Sequence, residues 1–428
     1  MILALSWPAI LAQLSVTVMQ LLDAAMAGRL GANASAAIGL VSSSTWLVHG
    51  LSSGAVFGFS VQTSQAIGAG ETEKARSCSR QGLAAIWILA LIFAAGGALL
   101  SPYVPRWLQG DPAILKDASA YFCIFCLSLP FVLMNSWAVQ MLQGTGNTAL
   151  PGMTQIGICV LDVLFNYLFI YVCGLGVAGA ALGTAVSEIC SSLFLTWFIR
   201  FKDPFLKGPA SFRFHKPDVL RALQIGVPVS LEQFIMSSAY VMFTRIVSSL
   251  GSLAVAANSF AITAESLCYM PGYGVSAAAT GVIGQCIGAG RDRLARQVGW
   301  RSVLTGIALM SGSGVLMFVL APQLLQLLSP VAEIQQLGAA CLRMEAFAEP
   351  MYGASIVVTG VLRGKGDTVG PTILSLICMW GIRIPLAAFL CPRFGLSGIW
   401  FAMLLELNLR GVFFLLWMKF RWTKKAAV

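Results

Sequence analysis

Apolar runs of membrane-spanning length, each closed by charges or by a Gly/Pro cluster, follow one another along almost the whole chain. A crossing of the hydrocarbon layer takes about 20 mainly apolar residues. By that measure the runs at 5–28, 40–67, 80–101, 119–143, 150–172 and 177–199, and then at 222–248, 260–287, 299–321, 336–361, 371–391 and 397–418, predict twelve transmembrane segments. None shows the dyad alternation of an outer-membrane barrel. Backbone groups in lipid must find their hydrogen bonds within their own segment, so each run is predicted to be a helix. The expected fold class is an all-α integral membrane protein.

The twelve segments are two sets of six. Pro8 recurs as Pro228, Leu30-Gly31 as Leu250-Gly251, Gln65-Ala66-Ile67-Gly68-Ala69-Gly70 as Gln285-Cys286-Ile287-Gly288-Ala289-Gly290, and Gly144-Thr145-Gly146-Asn147-Thr148 as Gly364-Lys365-Gly366-Asp367-Thr368, always 220 positions apart. A repeat this long in an apolar chain predicts two homologous bundles, the arrangement in which secondary transporters build a site between repeats. The expected division is an N-terminal six-helix lobe at 1–200, a cytoplasmic linker at 201–221 and a C-terminal six-helix lobe at 222–428.

Composition agrees: 57% of residues are hydrophobic and only 10% charged, where soluble domains carry about 25% charged residues. The formal charge of +10 is concentrated after even-numbered segments, in Lys74, Arg76 and Arg80, the stretch from Arg200 to Arg221, Arg291 to Arg301, Arg363 with Lys365, and the tail. Loops after odd-numbered segments hold only Arg29, Arg106, Lys116 and Arg393. By the positive-inside rule both termini and the linker are cytoplasmic in a multi-pass protein of the plasma membrane. The charge is thus assigned to topology and to contact with anionic membrane lipid, and no nucleic-acid partner is expected. Met1 leads directly into an apolar helix without a charged n-region, so no cleavable signal peptide is expected.

Enzyme signatures are thin. The 11 cysteines lie mostly inside apolar runs and read as small buried hydrophobes. Gly174 to Gly179 matches G-x-G-x-x-G but lies in a hairpin between membrane helices, without the βαβ unit that a dinucleotide site requires. Gly364-Lys365-Gly366 lacks the spacing of a phosphate-binding P-loop. The chain is read as a non-enzyme with no ATP motor and no cofactor, driven by an ion gradient.

Chemistry must then come from the ionisable groups inside the helices: Asp23, Asp162, Glu188, Glu232, Glu265, Glu345, Glu349 and Glu406, with Arg245, Arg343, Arg383 and Arg410 as partners. Each charge at mid-bilayer costs roughly 2.5–3.5 kcal/mol on translocon scales, so eight carboxylates imply a polar interior that uses them. Glu406 and Arg410, spaced i, i+4, read as a structural pair, and Arg343 and Glu345 as side chains snorkelling from a helix end. Gln13, Gln20 and Asp23 form a polar stripe on the first helix, and Asp162 shares a face with Asn166. Paired carboxylates in a low-dielectric cleft can hold a shared proton or a dehydrated sodium ion, and the sequence leaves both open.

The segments Leu22-Asp23-Ala24-Ala25-Met26-Ala27-Gly28, Gln65 to Gly70, Leu362 to Thr368, and Glu265-Ser266-Leu267-Cys268-Tyr269-Met270-Pro271-Gly272-Tyr273-Gly274 together resemble the multidrug and toxic compound extrusion (MATE) transporters over nearly the whole chain. The resemblance implies twelve helices in two six-helix lobes and export of cationic, amphipathic small molecules in exchange for sodium ions or protons. It assigns ion coupling to Asp23, Asp162, Asn166 and Thr184, with sodium at those residues the only metal expected. The family has Asn before Asp on its fifth helix, whereas this chain has Asp162 before Asn166. Gln20, Glu232, Glu265, Glu349 and Arg383 are assigned to substrate or to a second cation site, Glu349 and Arg383 also as salt-bridge partners closing the C-terminal lobe. The chain is read as a monomer. A flippase of a lipid-linked oligosaccharide, built on the same bundle, is the alternative.

Overall fold

The computed structural model describes residues 2–108, 110–208 and 215–423. Its first repeat comprises α1 (Ile2–Gly28), α2 (Ala32–Gly68), α3 (Thr72–Leu100), α4 (Leu115–Thr145), α5 (Ala149–Tyr167, prolonged by a π turn at Leu168–Val172) and α6 (Gly176–Phe201), with one extra turn, Val104–Trp107, between α3 and α4. The second repeat comprises α7 (Lys216–Ser248), α8 (Ser252–Gly288), α9 (Asp292–Leu328), α10 (Ala332–Glu345 and Glu349–Lys365), α11 (Val369–Leu376, a π stretch at Ile377–Arg383, and on to 394) and α12 (396–423). No strand occurs among the described residues. Among the described residues the chain is an all-α membrane protein of twelve long helices, and each predicted segment falls on one of them, 80–101 passing the end of α3 by one residue and 336–361 crossing the break in α10.

The helices overrun their apolar cores. The second starts at Ala32 rather than 40, and the ninth covers Asp292–Leu328 rather than 299–321, because the helical hydrogen-bond ladder does not stop where the apolar run stops. Nine described stretches are apolar and long enough to span on composition alone, and one of these, Val369–Trp422, is 54 residues long. It turns at Gly395, whose φ of 58° and ψ of −139° no residue with a Cβ adopts readily, and so supplies both α11 and α12. The more polar α2 and the interrupted α10 complete the twelve. Pro350, at the start of the second half of α10, has no N–H to offer the preceding turn, which fits the break before Glu349.

Glycines in the left-handed region end helices at matching points of the two repeats: Gly31 and Gly251, Gly70 and Gly290, Gly146 and Gly366. The chain folds as two compact units. One is Ser15–Ser230 with Gly288–Gly290. The other is Leu231–Ile287 with the residues from Arg291 onward, joined by the chain before Ser15. Each unit therefore contains the first half of the other repeat's opening helix.

Close packing explains this exchange. In the N-terminal unit α2 and the start of α7 meet backbone to backbone, and a Cβ at Gly54 would overlap the Gly226 carbonyl and the Ser230 hydroxyl. Ser230 Oγ donates to Leu51 O at 2.7 Å. In the C-terminal unit, 220 residues on, a Cβ at Gly274 would stand 2.6 Å from Ile10 N of α1, and Ile10 packs with Val275 and Ala279 of α8. The remaining core of the N-terminal unit is centred on Phe59, Leu133, Trp137 and Leu142. That of the C-terminal unit surrounds the fully buried Trp400, whose indole N–H donates to Asn258 at 3.0 Å.

Since the atoms facing Gly54 include backbone, the neighbourhood cannot yield by a rotamer change. Gly54→Val is expected to cost about 2 kcal/mol or more, seen as a lower melting temperature of the purified protein in detergent. A melting temperature equal to wild type would show that the α2–α7 approach is looser than described.

Candidate ion and substrate site

Within the N-terminal unit the sequence-predicted groups converge. Asp162 and Asn166 stand one turn apart on α5, 0% and 1% exposed. The Asn166 amide nitrogen donates to Asp23 Oδ1 on α1 at 2.8 Å and to Asp162 Oδ2 at 2.9 Å. One side chain thus bridges two carboxylates from different helices. The carboxyl groups of Asp23 and Asp162 also interact with each other, and the Thr184 hydroxyl on α6 faces Asp162. Thr184 Oγ1 donates back to Ala180 O at 3.3 Å, as helical threonines do.

Two oxygens remain over: Asp162 Oδ1 and Asn166 Oδ1 are buried without a hydrogen-bond partner among the described residues. Both are acceptors, and buried acceptors are normally satisfied. A cation or a proton is what such a pair accommodates. The reversed order of Asp and Asn on α5 therefore still gathers both side chains at Asp23. Gly183 makes the fit possible, because a Cβ there would overlap the Asn166 side-chain oxygen.

Sequence reasoning passed over two neighbours. Tyr121 on α4 lies within electrostatic reach of Asp23 and Asp162, and Asn135, also on α4, donates to Glu188 Oε2 at 2.8 Å while accepting from Ser191 at 2.9 Å. Uncharged polar residues in an apolar run give little signal. A search for Asn and Tyr flanking acidic helices would have flagged them. Gln20 is on α1 as expected, but exposed.

The C-terminal unit uses its charges differently. Glu232 pairs with Arg363 at 2.8 Å and accepts from Ser375 at 3.1 Å. Glu406 binds Arg410 at 2.6 Å, the pairing that the i, i+4 spacing predicts. Arg383 belongs to this group, 3.9 Å from Glu406 and with its guanidinium 5.0 Å from the centre of the Phe243 ring. Glu349, read from the sequence as a possible salt-bridge partner, forms no ion pair among the described residues. Its two carboxylate oxygens and those of Glu345 are buried and accept no hydrogen bond there.

Glu345 corrects the expectation of a snorkelling side chain: it is 0% exposed. The reason is the break in α10, which puts the end of its first half inside the bundle instead of at a membrane surface. Arg343, by contrast, is exposed as expected, and lies against Phe318, 5.7 Å from the ring centre. Glu265 is buried within electrostatic reach of Arg383 and Tyr269. Tyr269 stacks edge to face with Tyr273 and Tyr352 at 5.9 and 5.7 Å. Carboxylates beside tyrosine faces are the chemistry that receives an organic cation.

Comparison with known proteins places these features. The MatE family model matches residues 8–168 and again 228–389, the two repeats. A probable multidrug resistance protein NorM of Thermotoga maritima is 26% identical over 422 residues, 95% of this chain and 89% of that protein. A multidrug resistance protein MdtK of Yersinia pestis is 26% identical over 447 residues, covering 99% and 95%. The crystal structure of a MATE in complex with MaL6 superposes with a TM-score of 0.94 at 21% identity, over 99% of this chain and 96% of that one.

The Glu232–Arg363 pair gives a test that separates structure from transport. Arg363→Gln strands a buried carboxylate and is expected to cost on the order of 3 kcal/mol, whereas adding Glu232→Gln should recover most of the loss in a detergent melt. Equal destabilisation of the single and double variants would show that the pair is not what holds Glu232.

Proposed function

The chain belongs to the MatE family, and from that premise we propose that it is a secondary antiporter of the cell membrane, exporting lipophilic cationic small molecules in exchange for sodium ions or protons by alternating access. The observation that carries the reading is the Asn166 bridge between Asp23 and Asp162, with two buried acceptor oxygens left over beside it. A cation or proton entering there changes the charge at the point where α1, α5 and α6 meet. Ion and drug need only favour opposite access states to be coupled.

The lobes take unequal parts. At the repeat spacing of 220, Asp23 corresponds to Phe243 and Asp162 to Ile382, while Glu232 corresponds to Ala12 and Glu265 to Thr45. Ion coupling accordingly falls to the N-terminal lobe. Glu265 and Glu349 with the Tyr269 cluster are assigned to the charge of the substrate or to a second cation, and Glu232 and Arg383, held in ion pairs, to the framework of that site. The names of the NorM and MdtK relatives support drug export. A lipid-linked oligosaccharide flippase needs a cationic cavity for pyrophosphate, and here the half-buried Arg383 and the buried Arg410 are matched by Glu406, which argues against that alternative. Both termini and residues 201–221 are assigned to the cytoplasm from the distribution of Lys and Arg.

In a pump-deficient host, expression is expected to raise resistance to at least one lipophilic cation, and Asp23→Asn to abolish it with normal membrane insertion. Glu265→Gln should instead change which cations are exported. Undiminished resistance with Asp23→Asn removes that residue from the mechanism, and absence of resistance to every cation returns the flippase to consideration.

The exposed Lys207 reports topology. A single cysteine at that position is expected to react with an impermeant maleimide only in inverted vesicles; labelling of intact cells would reverse the orientation.

A further inference from the structure

Glu188 has a place in the N-terminal unit that the bridge does not explain. It follows Thr184 by four residues on α6 and so projects from the same face one turn on, and the charge of Asp162 acts on it. Its Oε2 is fixed by the Asn135 amide at 2.8 Å, and Asn135 is itself fixed by Ser191, yet the Glu188 side chain stays partly accessible. It is therefore a carboxylate held in place by its neighbours but not completely buried.

Two further observations point to a ligand on this side. Asn166 Oδ1, buried and unpartnered, points at α6, since a Cβ on Gly183 would overlap it, and Asp162 Oδ1 is buried and unpartnered as well. None of the ion pairs that lysine or arginine forms among the described residues involves Asp23, Asp162 or Glu188. Asn135, Tyr121, Cys159 and Thr184, polar groups beside these carboxylates, bring no positive charge. Three carboxylates held together without a protein cation hold more negative charge than one monovalent cation offsets.

We propose that Glu188 is a second cation seat in the N-terminal unit, so that each cycle moves two coupling cations, one on the Asp23–Asn166–Asp162 bridge and one at Glu188. This rests on the ion-coupling role of that bridge. Two cations entering for one monovalent drug cation leaving carry one net charge across the membrane, and the exchange is then driven by voltage. One for one carries none.

The test uses the full-length protein in proteoliposomes, with ethidium as the drug and potassium diffusion potentials set by valinomycin. A sodium gradient at fixed pH and a pH gradient without sodium form separate arms and identify which cation fills the seats. In the active arm, the ethidium ratio at which net flux vanishes should shift with voltage for wild type and lose that dependence in Glu188→Gln. Voltage-independent exchange by wild type, or the same voltage dependence in Glu188→Gln, overturns the second seat.

If Glu188→Gln inserts but does not transport, cation counts on the detergent-purified proteins decide: bound radioactive sodium at saturation, or protons taken up between pH 8 and pH 6, must be one fewer in the variant, and equal counts overturn the proposal. Asp23→Asn separates the two levels. Gradient dependence surviving that change means the bridge itself is misassigned, whereas its loss, together with voltage-independent wild-type exchange, removes only the Glu188 seat.

Discussion

One amide nitrogen holds two carboxylates. Asn166 reaches from α5 to Asp23 on α1 and back along its own helix to Asp162, and the rest of the N-terminal unit is arranged so that it can. Gly183 leaves the space, Thr184 supplies a hydroxyl, and Tyr121 and Asn135 face in from α4. In an apolar surrounding, a buried carboxylate without protein partners is tolerated only when it is offset. On the proposed reading, an occupant of the bridge would be part of what keeps α1, α5 and α6 together, and its departure would loosen three helices at once.

The second repeat answers the same constraint by other means. Where the first keeps Asp23, Asp162 and Glu188 without a cation among the described residues, the second supplies arginines, Arg363 for Glu232 and Arg383 with Arg410 for Glu406, and among the described residues leaves both oxygens of Glu345 and of Glu349 buried without a hydrogen-bond partner. A common backbone thus carries two electrostatic arrangements, one whose carboxylates are bridged by an amide and one whose carboxylates are largely paired with arginines. That contrast is a matter of a few side chains. The turns at Gly31, Gly70 and Gly146 and their counterparts at Gly251, Gly290 and Gly366 are the same in both.

Most of the fold was legible in the sequence because membrane burial imposes a long, simple pattern: apolar length marks the helices and the 220-residue offset marks the repeat. Helix ends such as Ala32 and Asp292 were not, since no apolar boundary records them. The site was legible where charge stood out against apolar surroundings, at Asp23 and Asp162, and through i, i+4 spacing at Asn166 and Arg410. It was hidden where the determinant is neutral or tertiary. Asn135 and Tyr121 carry no charge to notice, Gly183 matters only for the space it leaves, and the burial of Glu345 depends on a break in α10 that hydropathy does not show.

The exchange of half-helices bears on how such a chain arises. The first half of α1 completes the unit of the second repeat and the first half of α7 completes that of the first, through contacts that Gly54 and Gly274 permit at equivalent positions. A polypeptide of one repeat could not close its own bundle. It would be whole only as a symmetric pair in which each copy lends its first helix to the other, a domain-swapped homodimer. Fusion of two such genes would preserve these contacts and free each copy to change its charges independently, and the difference between Asp23 and Phe243, or between Asp162 and Ile382, is one that a homodimer forbids.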